Sequence, residues 1–168
     1  DCSRIIARRQ PAAGDLRMIM MILKTITDLE RIGDEATKIA RTALRINEDN
    51  RMTKLRFSEV KTMVEVVRQM LRTSLDSFAR MDVSKTVEIA KKDELVDEQY
   101  RSTIRQLVTF MLEDPRTISM SLEVMFVAKA IERIGDHAKN ISEYIVYTVK
   151  GKDIRHASIK EIQKTIKE

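Results

Sequence analysis

Apolar residues recur along this chain at the three- and four-residue steps of an α-helix, and they do so over long runs. Leu16, Ile19, Leu23, Ile26, Leu29, Ile32, Ala36, Ile39 and Ala43 make one broad stripe, and Val60, Val64, Val67, Leu71 and Phe78 make a second. The first predicts a helix over 14–45, preceded by a few helical turns at 3–9. The second predicts a helix ending in a short break at 81–84, with Ser84 placed to cap the next helix. That helix is expected over 84–113 and stops at Asp114-Pro115, because a residue before proline avoids the helical region. A last helix is expected over 117–149, with Gly151 positioned to end it.

Composition reinforces this picture. Four glycines and two prolines in 168 residues are too few to turn a sheet of that size. The fold class expected is all-α, an antiparallel bundle of long helices. Tryptophan is absent and ten methionines are present, so the core is expected to rest on Leu, Ile, Val and Met. The single cysteine, Cys2, permits no internal disulfide and fits a reducing cytoplasm. The longest apolar run, 18–23, is far too short for a bilayer, and no apolar stretch follows the opening residues, so neither membrane insertion nor a signal peptide is expected. The net charge is +5, but both signs mix along the helices and no aromatics interleave with the basic residues. That argues against nucleic acid. Only 151–168 is locally basic.

One segment occurs twice. Leu29-Glu30-Arg31-Ile32-Gly33-Asp34 matches Ile131-Glu132-Arg133-Ile134-Gly135-Asp136, and the likeness continues to Ala36 with Ala138 and Ile39 with Ile141. A proline precedes each copy, Pro11 and Pro115. One supersecondary unit used twice explains this. The second unit, 51–150, reads as three long helices. The first, 1–50, holds the end of a second helix and a third, and is expected to lack the rest.

The acids lie where apolar residues belong. At steps of seven the helices read Val83, Ala90, Asp97, Ile104, Met111; then Ile118, Met125, Glu132, Lys139, Val146; and Leu16, Leu23, Glu30, Thr37, Leu44. A carboxylate on a core-facing seam is costly unless paired. Each is doubled one turn away: Glu30 by Asp34, Asp97 by Asp93, Glu132 by Asp136. Like charges at that spacing repel by roughly 0.2–0.5 kcal/mol, which a cation between them would reverse. Gly33 and Gly135 inside the pairs suggest a close helix approach. Oxygen-only ligands favour hard cations, Mg, Mn, Ca or ferric iron, over zinc. The competing reading is an ion-paired or solvated acid cluster, with Arg31, Arg133, Lys38 and Arg101 as partners. His137 points about 100° away from Asp136 around the helix and reads as a surface or partly packed residue. No nucleophile–base set, phosphate loop or Glu-x-x-His pair is present, so an enzyme is not expected.

The string Arg9-Gln10-Pro11-Ala12-Ala13-Gly14-Asp15-Leu16-Arg17, the two Glu-Arg-Ile-Gly-Asp motifs, Asp93-x-x-x-Asp97 and the tail Lys150-Gly151-Lys152-Asp153-Ile154-Arg155-His156 together resemble the PhoU family, over nearly the whole chain. The resemblance implies two PhoU three-helix repeats, the first incomplete here. It implies acidic motifs that bind a metal (Mn, Mg or Fe), at Glu30, Asp34, Asp93, Asp97, Glu132 and Asp136. It further implies a cytoplasmic negative regulator of the phosphate regulon, in contact with the ATPase subunit of the phosphate ABC transporter and with a phosphate sensor histidine kinase. The alternative is a structural helical scaffold or partner-binding bundle whose acids only form ion pairs. The broad stripe on 14–45 is wider than one neighbour needs and predicts a homodimer packed through that helix.

Overall fold

A computed structural model describes residues 2–48 and 58–168, with the side chains of 47 and 48 outside that description. The expected boundary between the two units, at 50/51, lies outside the described residues. Within them the chain forms α1 (Cys2–Arg9), α2 (Ala13–Glu48), α3 (Ser58–Arg80), α4 (Thr86–Glu113), a 3-10 turn (Pro115–Thr117), α5 (Ile118–Lys150) and α6 (Ile159–Lys167). The described residues contain no strand. The fold is an all-helical bundle, as the periodicity predicts.

Helices α3, α4 and α5 share one apolar core. Met63, Val67 and Met70 of α3 meet Ile89 and Val96 of α4 and Ile131 and Ala138 of α5. Each fully buried side chain of this size contributes about 1.5–3 kcal/mol by leaving water. The Ser74 hydroxyl donates to the Ala138 carbonyl at 2.7 Å and fixes α3 against α5.

The helix ends follow local chemistry. Asp114 accepts the Arg116 N–H at 3.0 Å, and Pro115 opens the turn into α5. Gly151 adopts φ 70°, the left-handed conformation that lets its N–H reach the Tyr147 carbonyl and close α5. Ser84 does not cap α4. Its N–H and hydroxyl both go to the Asp82 carboxylate, at 2.8 and 2.9 Å, so the link curls on itself and the helix starts at Thr86. The basic tail contains a helix. Ser158 and Glu161 form a reciprocal capping box, and Ile162 packs with Ala90, Val146 and Ile154.

Helix α2 lies along the opposite side of α5, antiparallel to it, since Asp28, Glu35 and Arg45 meet His137, Arg133 and Glu123 in descending order. Its buried positions are Ile19, Met21, Thr25, Asp28, Ile32, Glu35 and Thr42, which step by fours and threes from Met21 to Glu35. This corrects the seam read from the sequence: Leu16, Glu30, Thr37 and Leu44 are exposed and Leu23 is half-buried. A broad stripe contains more than one possible seam. Contact with α5 selects the polar-bearing one.

Candidate metal centre

Asp97 projects from α4, and Glu132 and Asp136 project from successive turns of α5. One carboxylate oxygen from each lies within 4.8 Å of the other two. Two oxygens on opposite sides of a single Mg or Ca ion are separated by about 4–5 Å, given metal–oxygen distances of about 2.0–2.6 Å. The three groups therefore fit one hard cation with small side-chain adjustment.

The electrostatics describe a site short of positive charge. Asp136 is pushed up to about 6, first by burial and then by Glu132, Asp93 and Asp97. Lys129 answers part of this: its ammonium lies 2.7 Å from Glu132 Oε1, with hydrogen-bond geometry, and 2.6 Å from Oε2 without it. Glu132 Oε2 is buried and accepts no hydrogen bond. Its close neighbour is the Lys129 ammonium, which a metal ion at this site would have to displace. Burial works against the charge on Lys129, yet Glu132 holds its pKa above the ordinary lysine value.

Asp93 lies one turn before Asp97 and is 6% exposed. Lys139 donates to its Oδ2 at 2.7 Å. Burial still raises the Asp93 pKa, with Lys139 opposing. Of the three acid pairs read from the sequence, one is therefore divided between an ion pair (Asp93) and the carboxylate cluster (Asp97), and the Glu132/Asp136 pair lies wholly in the cluster. Lys139 stood on the same seven-residue seam as Glu132, which gave its face of α5 but not its pairing with Asp93. The suggested partners were different: Lys38 and Arg133 serve Glu35 instead.

Glu30 and Asp34 lie on the exposed side of α2. Among the described residues they join no third metal-type ligand. Their glycine differs in the same way. A Cβ built on Gly33 meets nothing within 4 Å, whereas one on Gly135 meets Val67 at 3.4 Å and Met70 at 3.7 Å. Even the second is ordinary van der Waals contact, so a helix approach that only glycine permits is not the reason for either residue.

His137 corrects the sequence reading most clearly. It is 6% exposed, and its Nδ1 lies 2.7 Å from Oδ1 of Asp28, itself 4% exposed. This buried pair joins α2 to α5. The signal that could have found it is the four-three step placing Asp28 in register with Met21 and Glu35. Glu143, two turns beyond Asp136 on α5, is pushed up to about 7 by burial.

No helix of the described residues is long and apolar enough to cross a membrane. The family model for the PhoU domain matches residues 1–43 and 60–145. The chain is 49% identical to a phosphate-specific transport system accessory protein PhoU homolog of Pseudomonas putida, over 96% of this chain and 63% of that one. It is 48% identical to the phosphate-specific transport system accessory protein PhoU of Escherichia coli, over 98% and 68%. The chain thus spans about two thirds of the length of these relatives. The crystal structure of PhoU from Pseudomonas aeruginosa superposes with a TM-score of 0.86 at 46% identity, over 90% of this chain and 72% of that one. The PhoU structure from Streptococcus pneumoniae gives 0.80 at 28% identity, over 90% and 70%. With the motifs, the helical architecture and these matches in agreement, the chain belongs to the PhoU family.

Proposed function

We propose that this chain is a regulatory adaptor of phosphate uptake whose working site is a hard-cation centre at Asp97, Glu132 and Asp136. The observation that carries the reading is the meeting of three carboxylates from two helices, with one oxygen of each within 4.8 Å of the others. A cation there would relieve the repulsion that raises Asp136 and would tie α4 to α5. Mn, Mg and Fe suit an all-oxygen site. The names of the relatives place them as accessories of a phosphate transport system, and the same role is proposed here. The adaptor works in the cytoplasm, by docking and not by turnover. It represses the phosphate regulon through the transporter ATPase subunit and a sensor histidine kinase.

Exposed apolar side chains along α2, among them Met18, Met20, Ile26, Leu29 and Leu44, support its use as the face of a homodimer. A chain that sediments as a monomer at micromolar concentration would remove that part of the reading.

Purified chain should carry stoichiometric Mn, Mg or Fe by elemental analysis, and changing Asp97, Glu132 and Asp136 together to Ala should abolish it. Retention of metal by the folded triple variant would defeat the proposal. The second reading, a scaffold held by ion pairs without metal, is favoured by Lys129 on Glu132 and Lys139 on Asp93. A metal-free wild type that represses normally in cells would establish it.

A further inference from the structure

The stretch 150–168 carries six Lys and Arg residues against three acids. All three acids are already engaged. Arg155 takes Asp153, Lys152 takes Glu168, and Glu161 closes the α6 cap. Lys150, Lys160, Lys164 and Lys167 are left without a hydrogen bond or ion-pair contact among the described residues. The start of α4, against which α6 packs, does not neutralise them. Over 82–92, Glu88 takes both Lys85 and Lys92, Asp82 takes Ser84, and Lys91 adds a further unpaired charge.

The fold turns these lysines to one side. Ile159, Ile162 and Ile166 hold α6 against Ala90, Val146 and Ile154. Lys160, Lys164 and Lys167 fall within about 60° of one another around the helix, on the side turned away from that core. All three are exposed. Lys150 stands next to them at the end of α5. The Glu168 carboxyl is held below the ordinary glutamate range, first by Lys152 and then by Lys164 and Lys150, so the last turn of α6 lies beside the end of α5. Tyr147, one turn before Lys150, is 40% exposed.

We infer that this basic face docks on an anionic membrane surface, as a peripheral contact within the headgroup layer. Its chemistry favours lipid over an acidic protein. The free cations are all lysines, point charges that suit a fluid layer of headgroups, whereas fixed carboxylates are best gripped by the planar fork of arginine. They stand on the convex outside of a helix and not around a groove. An exposed tyrosine borders them, and tyrosine suits the boundary between water and lipid. The apolar side of α6 is committed to the core, so the helix rests on the surface without inserting. The inference is independent of the cation centre.

The 168-residue chain is sedimented with lipid vesicles in buffer free of divalent cations. Vesicles of phosphatidylcholine containing about one third phosphatidylglycerol should carry it down, and pure phosphatidylcholine should not. Raising the salt from about 0.1 M to about 0.5 M should release it, because screening then acts within about 5 Å. A lysine near an anionic surface contributes about fivefold in affinity, so Lys160→Gln, Lys164→Gln and Lys167→Gln together should weaken binding about a hundredfold. Glutamine is a good helix former, and the inward isoleucines are untouched. A control variant, Lys61→Gln with Arg72→Gln and Arg105→Gln, removes the same charge from exposed positions of α3 and the far half of α4. It should bind within about twofold of wild type, since charges beyond the screening length from the lipid contribute little. Equal capture by neutral vesicles, binding that survives high salt, an undiminished lysine variant, or an equal loss in the control would each overturn the inference. So would tighter binding, per acidic group, to short poly-glutamate than to the vesicles, which would assign the face to an acidic protein.

Discussion

The Glu-Arg-Ile-Gly-Asp segment is written twice in this chain and lives in two different environments. On α5 its acids turn toward α4 and meet Asp97, and burial with the neighbouring negative charges pushes Asp136 up to about 6. On α2 the same letters face outward, with open space around Gly33. A helix-borne motif specifies which side chains share a face. Whether they become a site depends on what another helix brings to that face.

The sharpest way to break this comparison is to neutralise each copy in turn. Glu132→Gln with Asp136→Asn should lower metal content by about a hundredfold or more, as expected when two of three charged ligands are lost. Glu30→Gln with Asp34→Asn should leave it within about twofold. Equal losses by elemental analysis would mean that both copies bind.

A second contrast sets the buried polar seam between α2 and α5 against the exposed face of α2. His137→Ala removes the 2.7 Å partner of a buried acid, leaving Asp28 the long 3.4 Å contact from Asn140 and the Tyr144 hydroxyl, and should cost about 3 kcal/mol, roughly 10 °C in melting temperature for a chain of this size. Asp34→Ala, on the exposed face, should cost under about 0.5 kcal/mol. Removing Asp28 together with His137 should cost less than the sum of the two single changes, which a double-mutant cycle by thermal melting can read.

A third effect concerns pH. Asp136 and Glu143 bind their protons more tightly when folded than when unfolded, with values of about 6 and about 7. In metal-free protein their contribution is therefore greatest in acid. It declines as pH rises from the ordinary carboxylate range near 4 to about 7, then levels off. Because Asp153, held down at about 2 mainly by Arg155, contributes in the opposite direction at lower pH, differences between variants isolate the effect. Urea midpoints of Glu143→Gln and Asp136→Asn should gain on wild type as pH rises through this window.

The smallest effect tests the two glycines. Gly33→Ala fills open space on an exposed helix and should stabilise by about 1 kcal/mol. Gly135→Ala should gain less, because its new methyl must settle 3.4 Å from Val67. Urea denaturation of the two variants measures both.

Much of the architecture was legible in the residues. Helix lengths followed from the apolar steps, and the termini at Asp114-Pro115 and Gly151 followed from backbone chemistry that acts within a few residues. The start of α4 was misplaced because Asp82 takes both polar groups of Ser84 before they can cap anything. The capping box of α6 was written in Ser158 and Glu161 but lay in a stretch read only for its charge. The Asp28–His137 pair joins positions 109 residues apart; the four-three step puts Asp28 on a buried face of α2, but no periodicity within one helix names its partner on another.

By itself the sequence determined that this protein is helical, that it carries a duplicated acidic motif, and which acids share a face, since these depend on interactions between near neighbours. Only the tertiary structure decided which copy of the motif meets Asp97, which lysine takes Asp93, and which of α2's stripes is buried. Each of those outcomes depends on how one helix is rotated against another, and a rotation of one residue, about 100°, exchanges a buried seam for an exposed one.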